Sequence, residues 1–449
     1  NSPYIGQHII RKFFAWAHLT AALIFIFAAV LFTVPAFSSQ LSLDLNRAYE
    51  IAIENSKNIK AAESDIAKAN EERRQAHGAR GVTVTIEHDT ARIKYQNDTD
   101  VSANSFQNVI SATYPLYTGG LIESSIAAAE YELQSKKLSL ERSRQDVKLS
   151  AATAFFTMLR TEDMAKLASD AVERLEVHLR NVEAQYRNGK VSKADLLRSE
   201  VELINARQEM GQAMSEHSVA VKNMNSVMGL PLDTELSHDG KMSYRTFDDT
   251  LRQCLEHALS HHPDIAVAEL LEKKAEAGIG IAKSEKKPKV TIAASQTLLS
   301  ANMEDSLSNW PGLEDENFEI LLHAEYTFSD GGVSSSKIRG AREDLKKAVY
   351  NRESARDAIT MNVTQYFMEM EEAKSRIETG HLALDKAQES YRISLARYRE
   401  GVGTNLDVLD AQTALNQANS NHTQAFCDYN IALARLENAL GTPIAAKTK

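Results

Sequence analysis

Cysteine, proline and aromatic residues are scarce in this sequence of 449 residues, and basic residues are outnumbered by acidic ones. The two cysteines, Cys254 and Cys427, do not establish a disulfide, and we expect two small buried side chains instead. Eight prolines and 7% aromatic residues are typical of a mostly helical protein with little globular core. A net charge of −10 argues against nucleic acid as a partner, because phosphate binding requires a basic surface.

Long apolar runs are absent except near the N-terminus, where residues 13–32 are apolar and follow Arg11-Lys12. Ala36-Phe37-Ser38 then supplies the small residues of a cleavage site. We therefore expect residues 1–38 to be a secretory signal peptide, with an uncleaved membrane anchor as the alternative. No cysteine lies near the cleavage site, so a lipid anchor is not expected. No other run approaches the ~18 apolar residues of a transmembrane helix.

Catalytic and metal-binding patterns are also missing from the sequence. We find no nucleophile beside a base, no phosphate loop and no zinc-ligand spacing, so we predict neither an enzyme nor a bound cofactor or metal. The nearest approach to a metal motif is His261-His262-Pro263-Asp264, which has no second ligand cluster. We expect this histidine pair to face solvent.

The sequence does contain an internal duplication. Residues 185–197 (QYRNGKVSKADLL) match residues 397–409 (RYREGVGTNLDVL) at a constant offset of 212 (397 − 185). The matches continue without a gap from Tyr114 to Leu232. They include Tyr114/Tyr326, Gly119-Gly120/Gly331-Gly332, Gly229/Gly441 and Pro231/Pro443. Such self-similarity predicts two copies of one structural unit.

Hydrophobic periodicity predicts the same order of elements in both units. The first repeat, 39–245, is predicted to hold a helix (41 to about 79), a β-hairpin (81–117), a long helix (120–188) and a returning helix (192–228). The second repeat, 246–449, is predicted to hold a helix (251 to about 281), a β-hairpin (289–328), a long helix (333–400) and a returning helix (404–440). Six extra residues and an acidic loop lie between the strands of the second hairpin, in 300–317.

The two long helices and the two hairpins set the architecture. Residues 121–188 contain no glycine or proline, and a helix of this length is roughly 100 Å long at ~1.5 Å per residue. Val172, Leu175, Leu179 and Val182 follow the 3–4 spacing of a coiled-coil seam, which needs helical neighbours. Each strand has about the ~10 residues needed to cross a membrane obliquely. Four strands cannot close a barrel, whereas three, four or five copies of the chain could.

The chain resembles the TolC family of outer-membrane efflux and secretion channels of Gram-negative bacteria. The residues that carry the resemblance are Tyr114 to Gly120 (YPLYTGG), Tyr398 to Gly401 (YREG), Leu406 to Gln412 (LDVLDAQ) and Ala439 to Pro443 (ALGTP). The resemblance implies a mainly α homotrimer with a small β part. Four strands per chain would contribute to a 12-stranded β-barrel in outer-membrane lipid, continued by a long α-helical coiled-coil barrel in the periplasm.

The resemblance also implies a function and partners. The chain would be the exit duct of a tripartite efflux pump or a type I secretion system. A periplasmic adaptor (membrane fusion) protein would dock at the helical tips, and an inner-membrane transporter of the ABC or RND type would supply the cargo. The sequence does not choose between drug efflux and protein secretion. A membrane-anchored structural coiled-coil protein of the cell envelope is the alternative, but it does not explain the two hairpins.

The resemblance assigns roles to residues at the two helical tips. Asp407 and Asp410, which lie on the same side of one helical turn, would form stacked acid rings that gate the periplasmic entrance and attract cations; helix-start carboxylates are the alternative. Tyr398 and Asp195 would link neighbouring helices in the closed state. The position of the family's arginine in the second turn is Gly403 here, so the expected latch is missing or rebuilt.

Two further sets of residues complete the expected sites. The exposed turns are candidates for docking the adaptor: Gly189, Lys190, Val191, Gly401, Val402 and Thr404. Aromatic residues at the strand ends are expected to form a membrane-interface belt, or to pack at the junction of sheet and helices: Tyr114, Tyr117, Tyr326 and Phe328.

Overall fold

The computed structural model describes residues 41–96, 100–238, 245–300 and 317–441, and the side chains of 41–42, 93–96, 100–105 and 298–300 are not among those described. The expected signal peptide (1–38) and the acidic loop (300–317) lie outside these ranges, apart from the loop's end residues. The chain divides into two units. In the described part of the small unit, β1 (Leu41–Ser42) pairs in parallel with β4 (Leu236–Ser237), and Leu43 N donates to Ser237 O over 2.8 Å.

The large unit contains the remaining elements. The first repeat contributes α1 (Leu45–Asn55), α2 (Lys57–Gly78), β2 (Thr83–Gln96), β3 (Asp100–Tyr117), α3 (Leu121–Arg187) and α4 (Lys193–Val227). The second contributes α5 (Leu251–His261), α6 (Pro263–Ser284), β5 (Lys289–Ser300), β6 (Asn317–Glu325), α7 (Val333–Arg399) and α8 (Asn405–Leu440). The long helices α3 and α7 have 67 residues each, and their ends differ by the offset of 212 (333 − 121 and 399 − 187).

The duplication is visible in the backbone conformation. Among the described residues, every position with positive φ is a glycine, and the eight glycines form four pairs at the offset of 212: Gly119/Gly331, Gly120/Gly332, Gly189/Gly401 and Gly229/Gly441. Each pair begins a long helix, forms a helical turn or ends a returning helix. Residues with a Cβ rarely adopt this conformation, so the repeated glycines fix the same chain reversals in both units.

Each predicted first helix is divided in two, which the periodicity does not predict. The break falls at Ser56 (φ −59°, ψ 120°) in the first repeat and at His262 (φ −68°, ψ 127°) in the second. Ser56 Oγ accepts the N–H of Ile59 over 3.3 Å and restarts the helix as an N-cap. Pro263 begins α6 without an N–H and holds His262 in an extended conformation.

The four long strands form one antiparallel sheet in the order β2-β3-β5-β6. The sheet therefore joins the hairpins of the two repeats through β3 and β5. Within the described residues, neither β2 nor β6 has a partner on its outer edge. Apolar side chains are exposed along both edge strands, including Val84 and Ile86 on β2 and Ile320 and Leu322 on β6.

The second hairpin is shorter than the sequence predicts. β6 ends at Glu325, which pairs with Lys289, the first residue of β5. Residues beyond Glu325 have no opposing strand, so Tyr326 and Phe328 follow the strand instead of ending it.

The helices pack as two hairpins against the shorter helices. α3 packs along α4, α7 packs along α8, and α6 contacts both long helices. A buried cluster joins α5, α6, α7 and α8 and includes Val363, Met370, Tyr429 and Leu436. Cys254 and Cys427 are both buried free thiols, as expected.

Candidate functional site at the helical turns

The turns between α3 and α4 and between α7 and α8 have the same hydrogen-bond pattern. Gly189 N donates to Tyr186 O over 2.9 Å, and Gly401 N donates to Tyr398 O over 3.1 Å. The next residue closes a wider turn in each case, since Lys190 N donates to Gln185 O over 2.9 Å and Val402 N donates to Arg397 O over 3.0 Å. These are glycine-dependent helix ends of the Schellman type. Of the six candidate docking residues, all are exposed except Val191, which is half-buried.

Each returning helix begins with a capping box. Ser192 Oγ accepts the N–H of Asp195 over 3.2 Å, and Asp195 Oδ2 accepts the N–H of Ser192 over 3.2 Å. Thr404 Oγ1 accepts the N–H of Asp407 over 3.1 Å, and Asp407 Oδ2 accepts the N–H of Thr404 over 2.9 Å. Both aspartates are therefore the third residue of their helix, where a carboxylate is favoured by the helix dipole.

The two candidate gate residues differ in their surroundings. Asp407 and Asp410 are both exposed on the first turns of α8. The hydrogen bonds donated by Thr404, first from its backbone N–H, lower the pKa of Asp407 below its ordinary value. Among the described residues, no hydrogen bond or ion pair engages the carboxylate of Asp410. One chain thus presents an anchored and an unanchored carboxyl group, both open to solvent.

The candidate closed-state link does not form a hydrogen bond within one chain. Tyr398 is only 4% exposed and packs with Val182 and Val408. Its hydroxyl has no hydrogen-bond partner among the described residues. The Asp195 carboxylate instead accepts a hydrogen bond from Ser192. Burial raises the pKa of Tyr398, and the negative charge of nearby Asp195 raises it further.

A buried polar cluster lies beside Tyr398, and the sequence reasoning missed it. His178 Nε2 lies 2.6 Å from Asn405 Oδ1, and Asn405 Nδ2 donates to Asp195 O over 3.1 Å. Ser199 Oγ lies 3.1 Å from Asn405 Nδ2. His178, Ser199 and Asn405 are at most 3% exposed. His178 directly precedes Leu179 of the coiled-coil seam, and this position beside the seam could have indicated its burial.

The four candidate interface aromatics are exposed where the sheet meets the helices. Tyr114 and Tyr117 lie on β3, just before Gly119, while Tyr326 and Phe328 lie between β6 and Gly331. Phe328 is 92% exposed, an unusual state for a phenylalanine in water.

The expectation of a solvent-facing histidine pair is half wrong. His261 is exposed, but His262 is 3% exposed and accepts the N–H of Asp264 over 3.1 Å as the N-cap of α6. Burial lowers the pKa of His262. In the described ranges, no three histidine, cysteine or acidic side chains are arranged to hold a metal ion. No helix there is both long and apolar enough to span a bilayer.

The family model described as outer membrane efflux protein matches residues 48–230 and 254–442. The starts of the two matches differ by 206 (254 − 48), as do the starts of α1 and α5 (251 − 45). Their ends differ by 212 (442 − 230), as do the ends of α3 and α7 (399 − 187).

The chain belongs to the outer membrane efflux protein family.

Members of the family are outer-membrane channel proteins and not enzymes, so this chain is an outer-membrane channel protein with a large periplasmic helical part. It is 21% identical to the outer membrane efflux protein BepC of Brucella suis, over 73% of this chain and 70% of BepC. It is also 21% identical to the outer membrane protein TolC of Vibrio cholerae, over 71% of this chain and 73% of TolC.

Solved structures have the same fold. A crystal structure of a membrane protein from Pseudomonas aeruginosa matches with a TM-score of 0.79 at 18% identity, over 90% of this chain and 92% of that chain. At 18% identity, this match shows that the two chains share a fold, including the long helices and the small sheet.

Proposed function

We propose that three copies of this chain form the exit duct of a tripartite efflux pump. The observation that carries the proposal is the four-stranded sheet whose two outer edges are unpaired and apolar within the described part of one chain. Open edges are costly in lipid, because unpaired backbone N–H and C=O groups have no water to bind. Edge pairing between copies removes that cost, and three copies give twelve strands, three times the four of one chain.

The helices of the three copies then extend the barrel as a tunnel. α3 and α7 each contain 67 residues, which is roughly 100 Å of helix. The helical turns and the aromatic residues lie at opposite ends of α3 and α7, so a barrel in the outer membrane directs the turns into the periplasm. A periplasmic adaptor docks there on Gly189, Lys190, Val191, Gly401, Val402 and Thr404, and an inner-membrane transporter delivers the cargo.

The turns also form the gate of the tunnel. With threefold symmetry, Asp407 forms one ring of three carboxylates and Asp410 forms a second ring of three. Rings of acidic side chains attract cations and disfavour anions, so the closed entrance passes small cations slowly. Tyr398 and Asp195 contribute to the closed state by linking neighbouring helices of the tunnel.

The barrel is tested by electrophoresis and the channel by electrical recording. The purified chain should migrate in mild SDS as an oligomer that heating converts to a monomer. In a planar bilayer it should give a small, cation-selective conductance. A folded oligomer without conductance, or a monomer that never resists SDS, would contradict the proposal and favour a structural coiled-coil protein.

A further inference from the structure

Asn405 is a buried polar side chain that joins the second helical turn to the first hairpin by hydrogen bonds, beside the apolar contacts of Tyr398 and Val408 with Val182. It is the first residue of α8, directly after the turn, and it is 3% exposed. Its side chain contacts α3 through His178 and α4 through Ser199 and the carbonyl of Asp195. The residue at the equivalent position of the first repeat is Lys193, so an asparagine occupies this position in one repeat only.

The hydrogen bonds fix the proton on His178. The Asp195 carbonyl can only accept, so the amide nitrogen of Asn405 faces it and the amide oxygen faces His178. His178 must then donate from Nε2, which leaves Nδ1 unprotonated in the neutral ring. Nδ1 is buried and has no hydrogen-bond partner among the described residues. Protonating it would place both a charge and an unpaired donor in a buried site.

The charged and titratable groups around the imidazole do not offset that cost. From α7, the Tyr398 ring lies 5.3 Å from the His178 ring, measured between centroids, and offers an uncharged hydroxyl. From α4, the Asp195 carboxylate is bound to Ser192. From α8, the contact is the neutral amide of Asn405, since Asp407 is exposed to solvent. Burial accordingly lowers the pKa of His178, and the bond to Asn405 offsets only part of this.

We propose that His178 is an acid-sensitive pin, which holds the second turn on the first hairpin when neutral and releases it when protonated. The pin rests on the proposed function, because release matters only if the turns form the entrance of a channel. The contact between His178 and Asn405 supplies a closing interaction in a chain that has Gly403 at the position of the arginine expected in the second turn.

The direction of the pH dependence follows from proton linkage. The docked state disfavours the proton and the released state accepts it at an ordinary histidine pKa of ~6.5. Docking is therefore complete above that value and weakens as the pH falls from it toward the lowered pKa of the docked state. The docking equilibrium changes by up to about tenfold per pH unit for each histidine across that window.

The test measures the distance between the turns in the oligomer reconstituted in lipid. Spin labels on Lys190→Cys and Val402→Cys report this distance, and the native Cys254 and Cys427 are buried and stay unlabelled. We expect the label distances to lengthen between about pH 7.5 and pH 5.5, which brackets the ordinary histidine pKa, and to return at neutral pH. His178→Gln keeps a donor for Asn405 but cannot titrate, so its distances should stay at the neutral-pH value.

Two further variants complete the design. His381→Gln removes an exposed histidine of α7 and should respond as the parent does. His178→Leu removes the donor and should lengthen the distance at neutral pH; if it fails to assemble, the glutamine variant decides. A parent that does not respond to acid, or a His178→Gln variant that responds like the parent, would overturn the pin. Bilayer recordings separate the two ideas, because loss of all conductance contradicts the channel, whereas conductance indifferent to His178 contradicts only the pin.

Discussion

Asp407 Oδ2 accepts the backbone N–H of Thr404 over 2.9 Å, while Thr404 Oγ1 accepts the backbone N–H of Asp407 over 3.1 Å. Ser192 and Asp195 make the same reciprocal pair at the equivalent positions of the first repeat. A carboxylate assigned to the gate is therefore also the structural start of α8. Predictions about the gate must separate these two roles.

Removing the cap should loosen the start of α8. We expect Thr404→Ala to cost about 1 kcal/mol of local stability, because the N–H of Asp407 loses its acceptor. Hydrogen exchange of the first amides of α8 measures the change. Ser192→Ala should have the same effect at the start of α4, and equal protection in parent and variant would show that the box adds nothing.

Neutralising the gate residues should change ion selectivity. Asn at position 407 can still accept the N–H of Thr404, so Asp407→Asn removes the charge while keeping the cap. We expect Asp407→Asn and Asp410→Asn each to reduce cation preference by roughly a few-fold, since a ring of three charges is lost. Reversal potentials in a salt gradient measure this preference. The control is Asp344→Asn, which removes an exposed carboxylate from the part of α7 far from the turn. An equal effect of all three variants would argue against a gate at 407 and 410.

Cation preference should survive moderate acid. Hydrogen bonding from Thr404 lowers the pKa of Asp407. A lowered carboxyl pKa means that the charge is present above the ordinary value of ~3.9 and is lost only as the pH falls through the lowered value. Reversal potentials recorded from neutral pH down to about pH 4 should therefore keep their sign. A loss of selectivity well above that pH would show that crowded carboxylates raise one another's pKa instead.

The native thiols should be inert in the folded protein. Burial raises the pKa of Cys254 and of Cys427 to about 11 in each case. At pH 8 only about one thiol in a thousand is then ionised, and neither sulfur is accessible. We expect maleimide to label the folded chain only after denaturation, as measured by mass spectrometry. Val402→Cys adds an exposed thiol that should react at once, and rapid labelling of the parent would contradict the burial.

The exposed aromatics should lie at the lipid interface. A tryptophan at position 328 keeps an aromatic ring at a site that is 92% exposed in one chain. We expect brominated lipids to quench the fluorescence of Phe328→Trp after the parent signal is subtracted, because interfacial rings contact lipid. Tyr350→Trp, an exposed site on α7, should not be quenched. Equal quenching of the tryptophans at positions 328 and 350 would argue against a membrane-interface belt at Phe328.

The sequence by itself determined the duplicated order of elements, because the information is local. Glycine at 119, 189 and 229, and at the equivalent positions of the second repeat, marks the chain reversals, since few other residues tolerate positive φ. The absence of glycine and proline from 121–188 permits one uninterrupted helix, and α3 fills 121–187 of that range. The family followed from the same patterns, and the match over 48–230 and 254–442 confirms it.

Only the tertiary structure decided which side chains meet across elements. The cluster of His178, Ser199 and Asn405 combines residues that are distant in sequence and that belong to no motif found in the sequence analysis. Only the packing of α8 against α3 and α4 brings their side chains together. The end of β6 at Glu325 depends on where β5 begins, and the burial of His262 depends on the neighbours of α6. Periodicity reports which face of one element is apolar. It does not report the partner that covers that face, which depends on contacts between distant segments.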